Sequence, residues 1–150
     1  MKLTKQEKSW VLYDVANSAF SMIISTTIPL YFALLAKDNG INPETVTGYW
    51  GTATSISVLI LAVVSPILGA LADYRGMKKK MFAISLLIGV AGLFILTGTN
   101  SLWAFMALFI VARLGYSACN VFYDSMLTDV SSDERMDEVS SRGYAWGYIG

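Results

Sequence analysis

The chain has 150 residues, 55% of them hydrophobic and 15% charged, with mean hydropathy +0.53, a balance that belongs to membrane-embedded rather than water-soluble domains. Eleven lysines and arginines offset eleven acidic residues, so no bulk basic field points to nucleic acid. Histidine is absent and the single cysteine is Cys119; this sets aside histidine acid–base chemistry, an internal disulfide and most zinc or haem sites, and no metal or cofactor is expected.

Charges delimit the spans. Uncharged runs extend from Val15 to Ala36, from Thr45 to Ala72 and from Met81 to Ala112, and a helix needs roughly 20 apolar residues to cross the bilayer core. The turn chemistry of Thr97-Gly98-Thr99-Asn100-Ser101 divides the third run. Four spans follow, at about 10–36, 45–72, 81–96 and 102–127, with the start of a fifth helix from about 141. The fold class expected is an all-α membrane bundle. The first apolar stretch is too long for a signal peptide, and Ala33-Leu34-Leu35-Ala36 is no cleavage site. Trp10, Trp50, Trp103 and Trp146 stand near helix starts, where indoles are expected at headgroup level.

Lysines and arginines set an orientation. Lys2, Lys5 and Lys8, then Arg75 with Lys78, Lys79 and Lys80, then Arg135 and Arg142 fall on one side of the four spans, against Lys37 on the other. The positive-inside rule places the N-terminus in the cytoplasm of a protein of the cell (plasma or inner) membrane.

Polar residues within the spans are ordered. At 100° per residue, Asp14, Asn17, Ser18, Ser21 and Ser25 fall within an arc of about 100° on the first helix, and Arg113, Tyr116, Ser117, Asn120 and Asp124 do the same on the fourth. The third span offers only Ser85 and is expected to face lipid. Arg113 lies near mid-membrane, where a charge costs roughly 2.5–3.5 kcal/mol even on lenient scales. Two readings stay open for it: a structural arginine tied to neighbouring helices, or a cation lining a substrate pathway. Asp124 lies about 16 Å further along the axis, too far for a direct bond. Asp14 and Asp124 could bind protons, although an acid one turn into a helix also suits its dipole. Asn17, Ser21, Tyr116 and Asn120 could bond a substrate or join helices. Gly48, Gly51, Thr52 and Ser55 are expected to be close-packing positions, and the third span's Met and Phe side chains lipid-facing bulk.

Between the second and third spans stands Gly69-Ala70-Leu71-Ala72-Asp73-Tyr74-Arg75-Gly76-Met77-Lys78. Asp73 closes a helix C-terminus, where the dipole disfavours an acid, and Gly76 permits a tight reversal. This stretch resembles the G-x-L-A-D-R-x-G-R-K signature of the major facilitator superfamily at Gly69, Leu71, Ala72, Asp73, Gly76 and Lys78. It departs at Tyr74 and Met77, with Arg75 the nearest basic stand-in. Within that superfamily, Trp10 to Phe20 (WVLYDVANSAF) and Phe122-Tyr123-Asp124 resemble the vacuole-effluxer family, which includes an autophagy-related vacuolar amino-acid exporter. Asp124 departs from that family's Asn.

The resemblance implies a secondary transporter of twelve or more helices in two halves, and this chain as an incomplete N-terminal portion lacking the C-terminal half or partner helices. It implies transport of a small solute, with amino-acid efflux as the family's example, along Asp14, Asn17, Ser21, Arg113, Tyr116, Asn120 and Asp124, with Gly69, Asp73, Arg75, Gly76 and Lys78 forming a cytoplasmic gate. The partners expected are the lipid bilayer and a small-molecule substrate, an amino acid or another small solute, and no nucleic acid. Two alternatives stand beside it: a self-contained four-helix exporter working as a dimer, and a non-transporting membrane scaffold subunit. A membrane enzyme fits least, because no reactive-cysteine setting or metal-type carboxylate cluster is present.

Overall fold

A computed structural model describes residues 2–74 and 76–150; Arg75 of the expected gate lies outside the described residues. The described residues hold helices and turns with no strand, and four of the helices are long and apolar enough to cross a membrane. Helix α1 runs over Lys5–Asp38, α2 over Pro43–Ala72, α3 over Met77–Leu96, α4 over Leu102–Ser125 and α5 over Met136–Ile149. A short turn of helix at Leu127–Val130 and a 3₁₀ turn at Asp133–Arg135 join α4 to α5.

Several boundaries differ from the charge-based reading. Helix α3 begins at Met77, not Met81, because Lys78, Lys79 and Lys80 are good helix formers and sit in its first turn. Gly76, at φ +80°, makes the reversal that starts it. Helix α5 begins at Met136 rather than near Ser141, with Asp137 and Glu138 in a first turn where acids suit the dipole. Helix α1 is one long rod with a π-turn at Ile23–Thr27. Pro29, just beyond that turn, has no N–H to donate to the preceding turn, so the ladder shifts register there.

Helix α4 is the hub, packing against α2 on one side and α3 on another, while α5 lies along the first half of α1. Phe32 of α1, Ala53 of α2, Leu96 of α3 and Phe105 and Phe109 of α4 form the core at the end where α1 finishes. The α3–α4 seam is made by small residues. A Cβ on Gly92 would come within 2.9 Å of the Ala112 Cβ, and one on Gly115 within 2.6 Å of the Gly89 nitrogen. Backbones can approach this closely only where side chains are missing. Ser85 is buried on α3 along with Gly89, Gly92 and Leu96, whereas Leu87 and Phe94 on the rest of the helix are exposed. Phe82 is the exception to lipid-facing bulk, meeting Tyr13 edge-on with centroids 4.9 Å apart.

The expectation for α2 is corrected: a Cβ on Gly48 or Gly51 would meet nothing within 4 Å. Those positions face outward on a helix whose Val58, Leu59, Val63 and Ile67 are also exposed. Exposed apolar surface of this extent is what a lipid-embedded helix presents and a water-soluble one does not.

Candidate functional site

The polar stripes of α1 and α4 meet in a cleft of about 640 Å³. Helix α1 contributes Asp14, Asn17, Ser18 and Ser21, α4 contributes Asn120, Tyr123 and Asp124, and α5 closes one wall with Tyr144, Gly147 and Tyr148. The fit between α5 and α1 rests on two glycines one turn apart. A Cβ on Gly143 would stand 2.7 Å from the Trp10 ring, and one on Gly147 would stand 2.7 Å from Asp14 Oδ2 and 3.0 Å from Ser18 Oγ. The absence of those two side chains lets the Asp14 carboxylate sit at the helix–helix contact.

Within the cleft, Oδ1 of Asn17 and Oδ1 of Asn120 are buried acceptors with no hydrogen-bond partner. A buried, unpartnered amide oxygen costs on the order of 1–3 kcal/mol. The two stand on facing helices, both of which line the one cleft. No lysine or arginine is among the residues lining this cleft.

Arg113 lines a second hollow of about 270 Å³, deeper along α4, with the hydroxyls of Ser21, Ser25, Thr54 and Ser117 and the rings of Trp50, Phe109 and Tyr116. Its guanidinium carbon stands 6.0 Å from the centroid of Phe109, one turn earlier on the same helix. Among the described residues no carboxylate pairs with it. The π-turn and Pro29 of α1 border the same hollow. Ser21 lines both hollows.

The structure therefore gathers Asp14, Asn17, Ser21, Asn120 and Asp124 around one cleft, and Arg113 and Tyr116 around the next, with Ser21 common to both. Tyr116 stacks on Phe20 with centroids 5.0 Å apart. Trp50 packs on Phe109 at 4.5 Å between centroids and on Phe32 at 5.4 Å. Trp10 likewise turns inward, onto Tyr123. Trp103 and Trp146 are exposed.

In the gate motif, Gly69 has open space around it, Asp73 is exposed and Lys78 is anchored. The Lys78 ammonium donates to the Ser125 carbonyl at 3.0 Å and pairs with Asp129 at 2.9 Å. A lysine on the last carbonyls of α4 answers the negative end of that helix dipole.

Sequence reading missed a polar knot at the same end of the bundle. Glu7 is only 1% exposed. It accepts from the Thr4 N–H at 2.7 Å and from Ser131 Oγ at 3.4 Å, and it pairs with Arg135 at 3.2 Å. The signal was present: Thr4-x-x-Glu7 is a capping box. The Gly143-x-x-x-Gly147 spacing was equally visible as a helix-packing motif.

Four apolar spans, two of them lining a polar cleft, define an integral, multi-pass membrane protein. Residues 15–150 match the Major Facilitator Superfamily, and the chain belongs to that superfamily of membrane transport proteins. It is 45% identical, over 99% of its length, to the "Uncharacterized MFS-type transporter YxiO" of Bacillus subtilis (strain 168), of which it covers 36%. It is 31% and 32% identical, over 67% of its length, to the "Multidrug resistance protein MdtG" of Erwinia billingiae (strain Eb661) and of Serratia proteamaculans (strain 568), covering 23% of each. The chain thus spans about a third or less of the length of these relatives. No solved structure matches it.

Proposed function

We propose that the chain supplies the substrate-facing helices of the N-terminal half of a secondary transporter that works by alternating access. One observation carries this reading: the polar faces of α1 and α4, separated by most of the sequence, face a common cleft that holds two unpartnered amide oxygens. Asp14, Asn17, Ser21, Asn120, Asp124, Tyr116 and Arg113 form the pathway, and Arg113 attracts an anionic group near mid-membrane. The second half of the transporter closes the cleft from the side that α1 and α4 leave open.

The lysine and arginine asymmetry supports a cytoplasmic N-terminus in the cell membrane. On that side Lys78 fixes the start of α3 to the end of α4. Asp73, exposed one turn before, remains available to latch against the other half as the gate closes. The likeness of Trp10 to Phe20 and of Phe122 to Asp124 to the vacuole-effluxer family supports an amino acid or a similar small solute as cargo, moved outward.

The test is Arg113→Gln in the full-length transporter. Affinity for a carboxylate-bearing substrate is expected to fall about tenfold or more, the worth of one charged hydrogen bond. Unchanged affinity and uptake for every substrate would remove Arg113 from the pathway. Cysteines placed at Ser21 or Asn120 in a Cys119→Ser background are expected to react with a membrane-impermeant thiol reagent. A scaffold subunit would leave both unreactive.

A further inference from the structure

We infer that Pro29 and the π-turn before it read the substrate: the backbone carbonyls of Ile24 and Ser25 accept from an N–H or O–H donor carried beside the anionic group that Arg113 holds. This rests on the pathway proposed above. In a regular α-helix the Ile24 carbonyl would accept from the Ile28 N–H, and the Ser25 carbonyl from the N–H of residue 29. Here the Ile28 N–H goes to the Ile23 carbonyl, and residue 29 is a proline with no N–H to give. Both carbonyls thereby lose their helical donors. Among the described residues no side chain replaces those donors, and the nearby Thr26 hydroxyl goes to the Met22 carbonyl at 2.6 Å.

The wide turn is fixed from both sides. On its N-terminal side the Trp10 indole and the Tyr123 hydroxyl tie α1 to α4. On its C-terminal side Phe32 is 1% exposed and packs on Phe105 with centroids 5.4 Å apart. Annealing the turn into a regular helix would rotate one of these anchored halves by about 100° against the other. Freed backbone acceptors persist within a membrane span only where they line a cavity or meet other protein, and Ile24, Ser25 and Pro29 all line the Arg113 hollow.

The charges of that hollow decide what complements it. The guanidinium fork matches an anionic group and repels a bare inorganic cation. The freed carbonyls call for a donor. A compact molecule that carries both on neighbouring atoms suits a space of about 270 Å³. The chemistry selected is an acid with an amino or hydroxyl group on its α-carbon, against a plain carboxylate.

The experiment measures binding of alanine, lactate, propionate and N,N,N-trimethylalanine to the purified full-length transporter. Propionate lacks the donor, and trimethylalanine keeps the positive charge without a donor. Alanine is expected to bind about tenfold or more tighter than either, with lactate between. Pro29→Ala supplies an N–H that reaches one of the two carbonyls from within the helix, and alanine suits a helix interior. This variant is expected to melt no lower than the parent, to keep its affinity for propionate and to lose most of the preference for alanine. Trimethylalanine or propionate binding the parent as tightly as alanine overturns the inference, and so does no binding of any probe or full discrimination in Pro29→Ala. Arg113→Gln separates the two levels. Affinity lost in Arg113→Gln beside unaltered discrimination in Pro29→Ala removes the donor reading alone, whereas affinity unmoved in both variants removes Arg113 from the pathway as well.

Discussion

Trp10 and Tyr123 hold each other twice. The Trp10 indole N–H donates to the Tyr123 carbonyl at 3.2 Å, the Tyr123 hydroxyl donates to the Trp10 carbonyl at 3.1 Å, and the rings stack 4.5 Å apart at 11°. This clasp fixes α1 against α4 within the lining of the cleft that Asp14 and Asp124 share. Trp10→Phe keeps a ring and loses one bond, and Tyr123→Phe loses the other. Each is expected to lower stability by about 0.5–1.5 kcal/mol in thermal unfolding of the detergent-solubilised protein. A Trp10 that merely anchored at headgroups would make Trp10→Phe nearly silent.

Gly143 and Gly147 look equivalent in sequence, but their neighbours differ in freedom. A Cβ on Gly143 would strike the Trp10 ring, which stacking and a hydrogen bond hold still, so Gly143→Ala is expected to cost about 1–3 kcal/mol. A Cβ on Gly147 would meet the far end of the Asp14 side chain, which can rotate away. Gly147→Ala should therefore melt close to the parent while lowering substrate affinity, because it re-aims a carboxylate of the cleft. Paired melting and binding measurements on the two variants check this division.

What sequence could show follows from what periodicity encodes. A helical wheel gives direction, so the faces of α1 and α4 that carry Asp14, Asn17, Ser21, Asn120 and Asp124 were legible, and they do share a cleft. A wheel gives no account of what lies between two turns, so the division of Arg113 and Tyr116 into a second hollow was not. Glycine roles were misassigned for a related reason. Gly51 and Gly115 are both helical glycines in apolar runs, and only the choice of neighbouring helix makes one crowded and the other open. The ring contacts of Trp10 and Trp50 were not legible either, because an indole suits both a headgroup layer and a packed core with an acceptor. Glu7 went unnoticed because charge was used to mark where spans end, which passes over an acid that caps one.

That glycine contrast is measurable. Gly115→Ala drives a methyl into the backbone of Gly89, which cannot yield without parting α3 from α4, and a loss of about 1–3 kcal/mol or more is expected. Gly51→Ala meets open space and removes a flexible residue from a helix interior, so it should be neutral or stabilising by up to about 1 kcal/mol. Thermal unfolding of both variants in one detergent gives the comparison. A larger loss for Gly51→Ala than for Gly115→Ala would reverse the assignment of the packed seam.

The Glu7 knot joins the first turn of α1 to the segment that leads from α4 into α5. Glu7 is sealed from solvent, while Arg135 is 20% exposed and also donates to the Lys2 carbonyl at 3.3 Å. Removing the cation leaves a buried carboxylate with only the Thr4 N–H and the Ser131 hydroxyl, so Arg135→Gln is expected to cost about 1–3 kcal/mol. Glu7→Gln keeps an oxygen for the Thr4 N–H and offers an amide N–H to the Ser131 hydroxyl, which can accept it, so it should cost less. In the double variant the buried charge is gone along with its partner, and the total should fall short of the sum by about 0.5–3 kcal/mol. A double-mutant cycle of melting temperatures reads this coupling directly. Strict additivity would mean that the two side chains act as independent surface groups, and that the turn at 131–135 is held by its backbone alone.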